Sequence, residues 1–159
     1  MRIARLALAV IALLCATVAA MPAHAAGLSY YAVAPCRLFD SRINAFPPAV
    51  FPSPLQAGVT YGYNYLNLDC VPTPNGDPHA QAIAVNVTAV NATAGGYLVL
   101  WADGLPMPGT SNINFSAGQV IANGMVVGVG ANDNFDIHYS HSPGATVDIL
   151  IDIVGYFAP

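Results

Sequence analysis

In the stretch 146–157, TVDILIDIVGYF, Val147, Ile149, Ile151 and Ile153 alternate with Asp148, Leu150, Asp152 and Val154. A period of two marks a β-strand, whose successive side chains leave the backbone on opposite sides. The second side is half apolar, so this strand is expected inside a sheet rather than at its edge. Two carboxylates on a half-covered face then need partners, because an unpaired charge removed from water is strongly unfavourable. The remainder of the chain can be read as what covers this strand and satisfies those acids.

Other stretches carry the same period. Residues 28–34 (LSYYAVA) form a first strand that Pro35 is expected to stop. Residues 58–68 set Tyr61, Tyr63 and Tyr65 against Gly62, Asn64 and Leu66. Residues 81–90 set Ile83, Val85, Val87 and Ala89 against Ala84, Asn86, Thr88 and Val90. Further strands are expected over 97–101, 111–115, 118–128 and 135–140. The stretch 46–54 (FPPAVFPSP) is too rich in proline to pair regularly and reads as an extended crossing over a sheet edge. Asn123-Gly124 is a strong hairpin dipeptide. The preferred reading there is nonetheless one strand carrying a bulge.

No stretch after residue 26 sustains a helical period, and Gly, Pro and Asn clusters separate the short strands. The predicted fold is all-β: an antiparallel sandwich, jelly-roll-like or Greek key, with barrel-like closure as the alternative.

The first segment changes the picture of location. Arg2 and Arg5 precede an apolar run over 6–20 and then Ala23-His24-Ala25. This is the pattern of a secretory signal peptide over 1–25, cut after Ala25, leaving one domain over 26–159. The run is short for a bilayer span, so no membrane insertion is expected after cleavage. The expected location is secreted, extracellular or at the cell surface, with the periplasm as the alternative.

Charge narrows the partners. The chain contains no Lys and no Glu, and beyond the signal segment its fixed cations are Arg37 and Arg42. Its acids are Asp40, Asp69, Asp77, Asp103, Asp133, Asp136, Asp148 and Asp152. Nucleic acid and anionic membrane both demand clustered basic residues, so neither is an expected partner.

Cys15 leaves with the signal segment, and Cys36 and Cys70 remain. An even pair in an exported chain reads as a disulfide, with two unlinked buried thiols as the alternative. Neither cysteine has a second Cys or His at ligand spacing, so no metal and no cofactor are expected.

Both late arginines lie in PCRLFDSR, residues 35–42. One reading makes Arg37, Asp40 and Arg42 an anion or carboxylate site. The preferred reading is structural, with Arg37 or Arg42 reaching Asp148 or Asp152.

Three groups of residues together resemble a secreted bacterial β-module. Residues 35–42 are similar to its opening PCRLxDTR signature, with Ser41 where threonine is usual. The middle comprises Val85-Asn86-Val87-Thr88, Gly96-Tyr97-Leu98, 111–115 and Ala122-Asn123. Residues 147–157 are similar to its closing VDVxGYF. The resemblance spans nearly the whole chain after the signal segment. Such modules occur alone, in series, or appended to extracellular and cell-wall-directed enzymes. The resemblance therefore implies a non-catalytic surface or accessory role. Asn86, Asn112, Asn114 and Asn123 are positions of its pattern, and they suit buried amides that bond to backbone where strands end.

Three functions compete. The first is a structural, adhesive or assembly role at the cell surface, with a protein or a second copy as partner. The second is glycan binding by stacking on Tyr61, Tyr63, Tyr65, Trp101 or Tyr139; the preferred reading of the tyrosine stripe is packing on a sheet face, and of Trp101 core packing or a loop anchor. The third is a small hydrolase or metal site built on His138 and His141. Their spacing on a strand puts them on opposite faces, and no third metal ligand accompanies them in sequence.

Overall fold

The computed structural model describes residues 27–43, 54–65, 70, 80–130 and 133–159. The expected signal segment, the expected proline-rich crossing up to residue 53 and the expected turn over 72–78 lie outside them.

The last strand, β9 (Thr146–Ala158), is the one around which the fold closes. On one side it pairs antiparallel with β1 (Ser29–Asp40) and, further along, with β2 (Leu55–Gln56). On the other side it pairs with β4 (Ala82–Val90), which in turn pairs with β7 (Ile121–Gly128). The second sheet runs β3 (Thr60–Asn64), β8 (Asn134–Ser140), β5 (Gly96–Ala102), β6 (Ile113–Phe115).

The connectivity follows from four nested antiparallel pairs. β5 meets β6, β4 meets β7, β3 meets β8 and β1 meets β9. That is one long hairpin with its tip between β5 and β6. Rolling it up adds β4 to β9 and β5 to β8, which splits the ribbon into two facing sheets. This is the jelly-roll arrangement. The two sheets pack as a sandwich and do not close into a barrel. Every strand is antiparallel to its neighbours, and no described residue is helical.

The core fills the space between the inner faces. Val147, Ile149, Ile151 and Ile153 of β9 are fully buried beside Ile83, Val85, Val87 and Ala89 of β4. Facing them are Tyr61 and Tyr63, Phe135, Ile137 and Tyr139, Leu98 and Leu100, Ile113 and Phe115. The outer side of the second sheet is partly covered. The Trp101 indole N–H donates to the Leu105 carbonyl at 2.9 Å, which anchors the loop over 103–112.

Two expectations need correction. Pro35 does not end the first strand, because β1 runs on to Asp40. Proline is tolerated where a strand has a neighbour on one side only, and Pro35 falls where the β1–β9 register shifts, between Ala32 and Cys36. Asn123-Gly124 is one uninterrupted strand, as expected, but it carries no bulge, since the β4–β7 register is regular from end to end. The tyrosine stripe of β3 faces inward and packs, in line with its preferred reading.

Candidate functional site

The polar cluster at the β1–β9 seam is built by a break in strand periodicity. In a regular strand Arg37 and Asp40, three apart, would point to opposite faces. Arg37 opposes Asp152, but Phe39 opposes Ile151, so Leu38 is an extra residue on β1. This bulge reverses the alternation and brings Asp40 back to the outer face beside Arg37. Leu38 itself is fully buried in the core.

Arg37 then holds two acids. Its Nε donates to Asp152 Oδ1, its Nη2 to Asp152 Oδ2 at 3.3 Å, and its Nη1 to Asp40 Oδ2 at 2.9 Å. Arg42 grips Asp40 from the other side through Nε at 2.8 Å and Nη2 at 2.6 Å, and its backbone N–H adds a bond of 3.1 Å. Asp40 is nearly buried, 5 % exposed, while the guanidiniums lie near the surface. The Arg42 hydrogen bonds hold the Asp40 carboxyl down, at a pKa of about 2. The bond to Asp152 raises the Arg37 pKa, and the bond to Asp40 raises that of Arg42.

Asp148 is served differently. The Ser41 hydroxyl donates to its Oδ1 at 2.7 Å, and Asn91 Nδ2 donates to its Oδ2 at 3.0 Å. The same hydroxyl accepts the Ile149 N–H at 2.9 Å, while the Ser41 N–H donates to the Ile149 carbonyl at 3.0 Å. A threonine hydroxyl makes the same bonds, which accounts for either residue at this place in the motif. Asn91 takes a left-handed backbone, φ 53°, a conformation that asparagine tolerates better than most residues.

The expectation that an arginine reaches Asp148 or Asp152 therefore divides. Arg37 meets Asp152, whereas Asp148 takes a hydroxyl and an amide. Ser41 and Asn91 were missed by sequence reasoning. Their only signals were a short polar residue after the arginine motif and an asparagine at a strand end.

Cys36 and Cys70 are joined by a disulfide, with Cα atoms 5.5 Å apart. Cys36 lies next to Arg37, so the bridge and the ion pairs secure the same part of β1.

The five aromatics considered for glycan stacking are all buried. Tyr139 donates to the Ala94 carbonyl at 3.1 Å, and Tyr63 donates to the Leu38 carbonyl. Burial raises the pKa of both phenols. Strand alternation put the tyrosines on one face correctly, but that face is the core. The exposed tyrosines are Tyr30, Tyr31 and Tyr97. Tyr30 and Tyr31 are consecutive in β1 and point to opposite sides, so they form no common platform.

The asparagines of the motif separate as well. Asn112 Oδ1 accepts the Leu100 N–H at 2.7 Å, and Asn123 Nδ2 donates to the Asn112 carbonyl at 2.7 Å. These two bond to backbone as expected. Asn114 is exposed and donates to the Ser111 hydroxyl at 3.0 Å. Asn86 is half-buried on the outer face, opposite Asp152.

His138 Nδ1 lies 3.0 Å from the Thr60 hydroxyl, and His141 Nδ1 lies 3.2 Å from the Ser142 carbonyl. Among the described residues no three His, Cys, Asp or Glu side chains gather as metal ligands. Asp136, on the same strand as His138, has its pKa raised by burial and by the charge of Asp103.

Chemically, the charges of the seam cluster are balanced, two arginines against Asp40 and Asp152. Both guanidiniums are engaged by acids of the chain itself, so it acts as a clasp between β1 and β9. Compared with protein-family models and with curated proteins, the chain matches none.

Proposed function

We propose that the protein is a secreted, non-catalytic module that works through its surface, as a structural, adhesive or assembly component outside the cell. The observation that carries this reading is the fate of the charges. The two arginines beyond the signal segment are consumed in the clasp, and from residue 104 to residue 132 the chain carries no charge. Recognition by such a surface rests on apolar contact and neutral hydrogen bonds. The disulfide favours an oxidising compartment, in keeping with export. The resemblance to secreted bacterial β-modules points the same way.

Co-sedimentation with washed envelopes of the producing cell tests the proposal. The protein is expected in the pellet, and retention is expected to survive about 0.5 M NaCl, where exposed ion pairs are screened. Complete recovery in the supernatant at low salt would contradict it.

A further inference from the structure

Among the described residues, β7 forms one edge of the first sheet and pairs with β4 alone. Edges of this kind are templates for another strand, and proteins commonly guard them with Lys, Pro or a bulge. β7 has none of these: its sequence is IANGMVVG and its register is regular.

The direction of its free backbone groups can be derived. Just beyond β7, the Val129 N–H donates to the Gln81 carbonyl at 3.0 Å. Antiparallel hydrogen bonding alternates, so the odd-numbered residues of β7 bond to β4. The even-numbered residues, Ala122, Gly124 and Val126, turn their N–H and C=O outward.

We infer that β7 pairs with β7 of a second copy, antiparallel about a two-fold axis at Asn123. This deepens the assembly reading above and rests on it. In that register Ala122 faces Gly124 of the other copy, and each pair exchanges two backbone bonds from groups that have no partner among the described residues. Val120 and Val126, 71 % and 58 % exposed, then face one another across the seam. Small residues meet at the centre and valines meet on both flanks. Moving the register by two residues sets Val126 against Ala122 or against residue 118, and this match is lost. A two-fold pairing places a strand against itself, so any charge it carried would meet its like. The absence of charge from 104 to 132 removes that repulsion. The occupant is thus a neutral strand, complementary to this edge about a two-fold axis.

Sedimentation velocity of the purified protein and hydrogen exchange test this together. A dimer is expected at about 100 µM. Between dilute and concentrated samples, the Ala122 and Gly124 amides should gain protection while those of Asn123 and Met125, already bonded to β4, do not change. Val126→Lys should weaken the dimer roughly tenfold or more, and V120D/V126K should restore it, because opposite charges then face each other in this register alone. Both positions are exposed, so the melting temperatures of these variants should match the parent at dilutions where the parent is monomeric. A parent that stays monomeric at that concentration would overturn the inference. So would a double variant as dissociated as Val126→Lys. An oligomer untouched by these changes would overturn the assignment to β7 while leaving the surface role to the envelope test.

Discussion

Asp40 receives four hydrogen bonds from two arginines at a place where strand alternation would have turned it away from Arg37. Its folded pKa of about 2 lies below the ordinary 3.8, so folding favours the ionised form. The stability this contributes is present above about pH 4 and is lost as pH falls through 4 towards 2. Asp136 works in the opposite sense, since its raised pKa favours the protonated folded state. The Asp40→Asn variant should lose the acid-side drop that the parent shows in melting temperature between pH 4 and 2. A parallel drop in both proteins would place its origin elsewhere. Removing Arg37, which touches both Asp40 and Asp152, should lower the melting temperature by roughly 5–10 °C at neutral pH. Two glycines of the motif also differ in kind. A Cβ at Gly96 would meet the Ser140 carbonyl oxygen and Tyr139 Cε2, both at 2.7 Å, and neither the backbone nor the buried ring can retreat. At Gly155 the obstacle is the ring of Tyr30, which is half-exposed and can swing outward. Gly96→Ala should therefore lose about 2 kcal/mol or more in urea unfolding, clearly more than Gly155→Ala. At this scale the residues needing partners were legible from sequence, since Asp148 and Asp152 stand on a half-apolar face. Which partners they find was not, because the bulge at Leu38 breaks the period from which faces are read.

At the scale of elements, β1 is held by three different means: its ladder with β9, the arginine clasp and the disulfide. The bridge joins residues 34 apart in sequence and closes a loop containing β2 and β3. Loop-closure entropy gives it about 3–4 kcal/mol of stabilisation. The C36S/C70S double variant should lose stability of that order in urea unfolding. A loss below about 1 kcal/mol would mean that residual structure already restricts this loop in the unfolded chain. Long alternating runs such as those of β4, β8 and β9 were legible to within a residue or two. The second half of β1 was hidden by Pro35, which ends most strands but is accommodated here at a register shift on an edge. β2 has two residues, too few to show any period.

At the scale of the whole molecule, alternation tells which side chains share a face but not which strands are neighbours. The sandwich class could be read from the sequence, whereas the nested order β1–β9, β3–β8, β4–β7, β5–β6 could not. Nor could alternation alone tell an inner face from an outer one, so a platform stood beside the preferred packed reading for the tyrosines of β3 until burial decided between them. The central position of β9 was the exception, because two apolar faces in one strand imply neighbours on both sides. That position is the claim on which the rest depends, and residue-resolved hydrogen exchange tests it most directly. The amides of Leu150, Ile151 and Ile153, residues paired with β1 on one side and with β4 on the other, should exchange only through global unfolding, with free energies equal to that from urea denaturation. Exchange in β9 as fast as in the edge strand β3 would show that the last strand does not hold the centre of the fold.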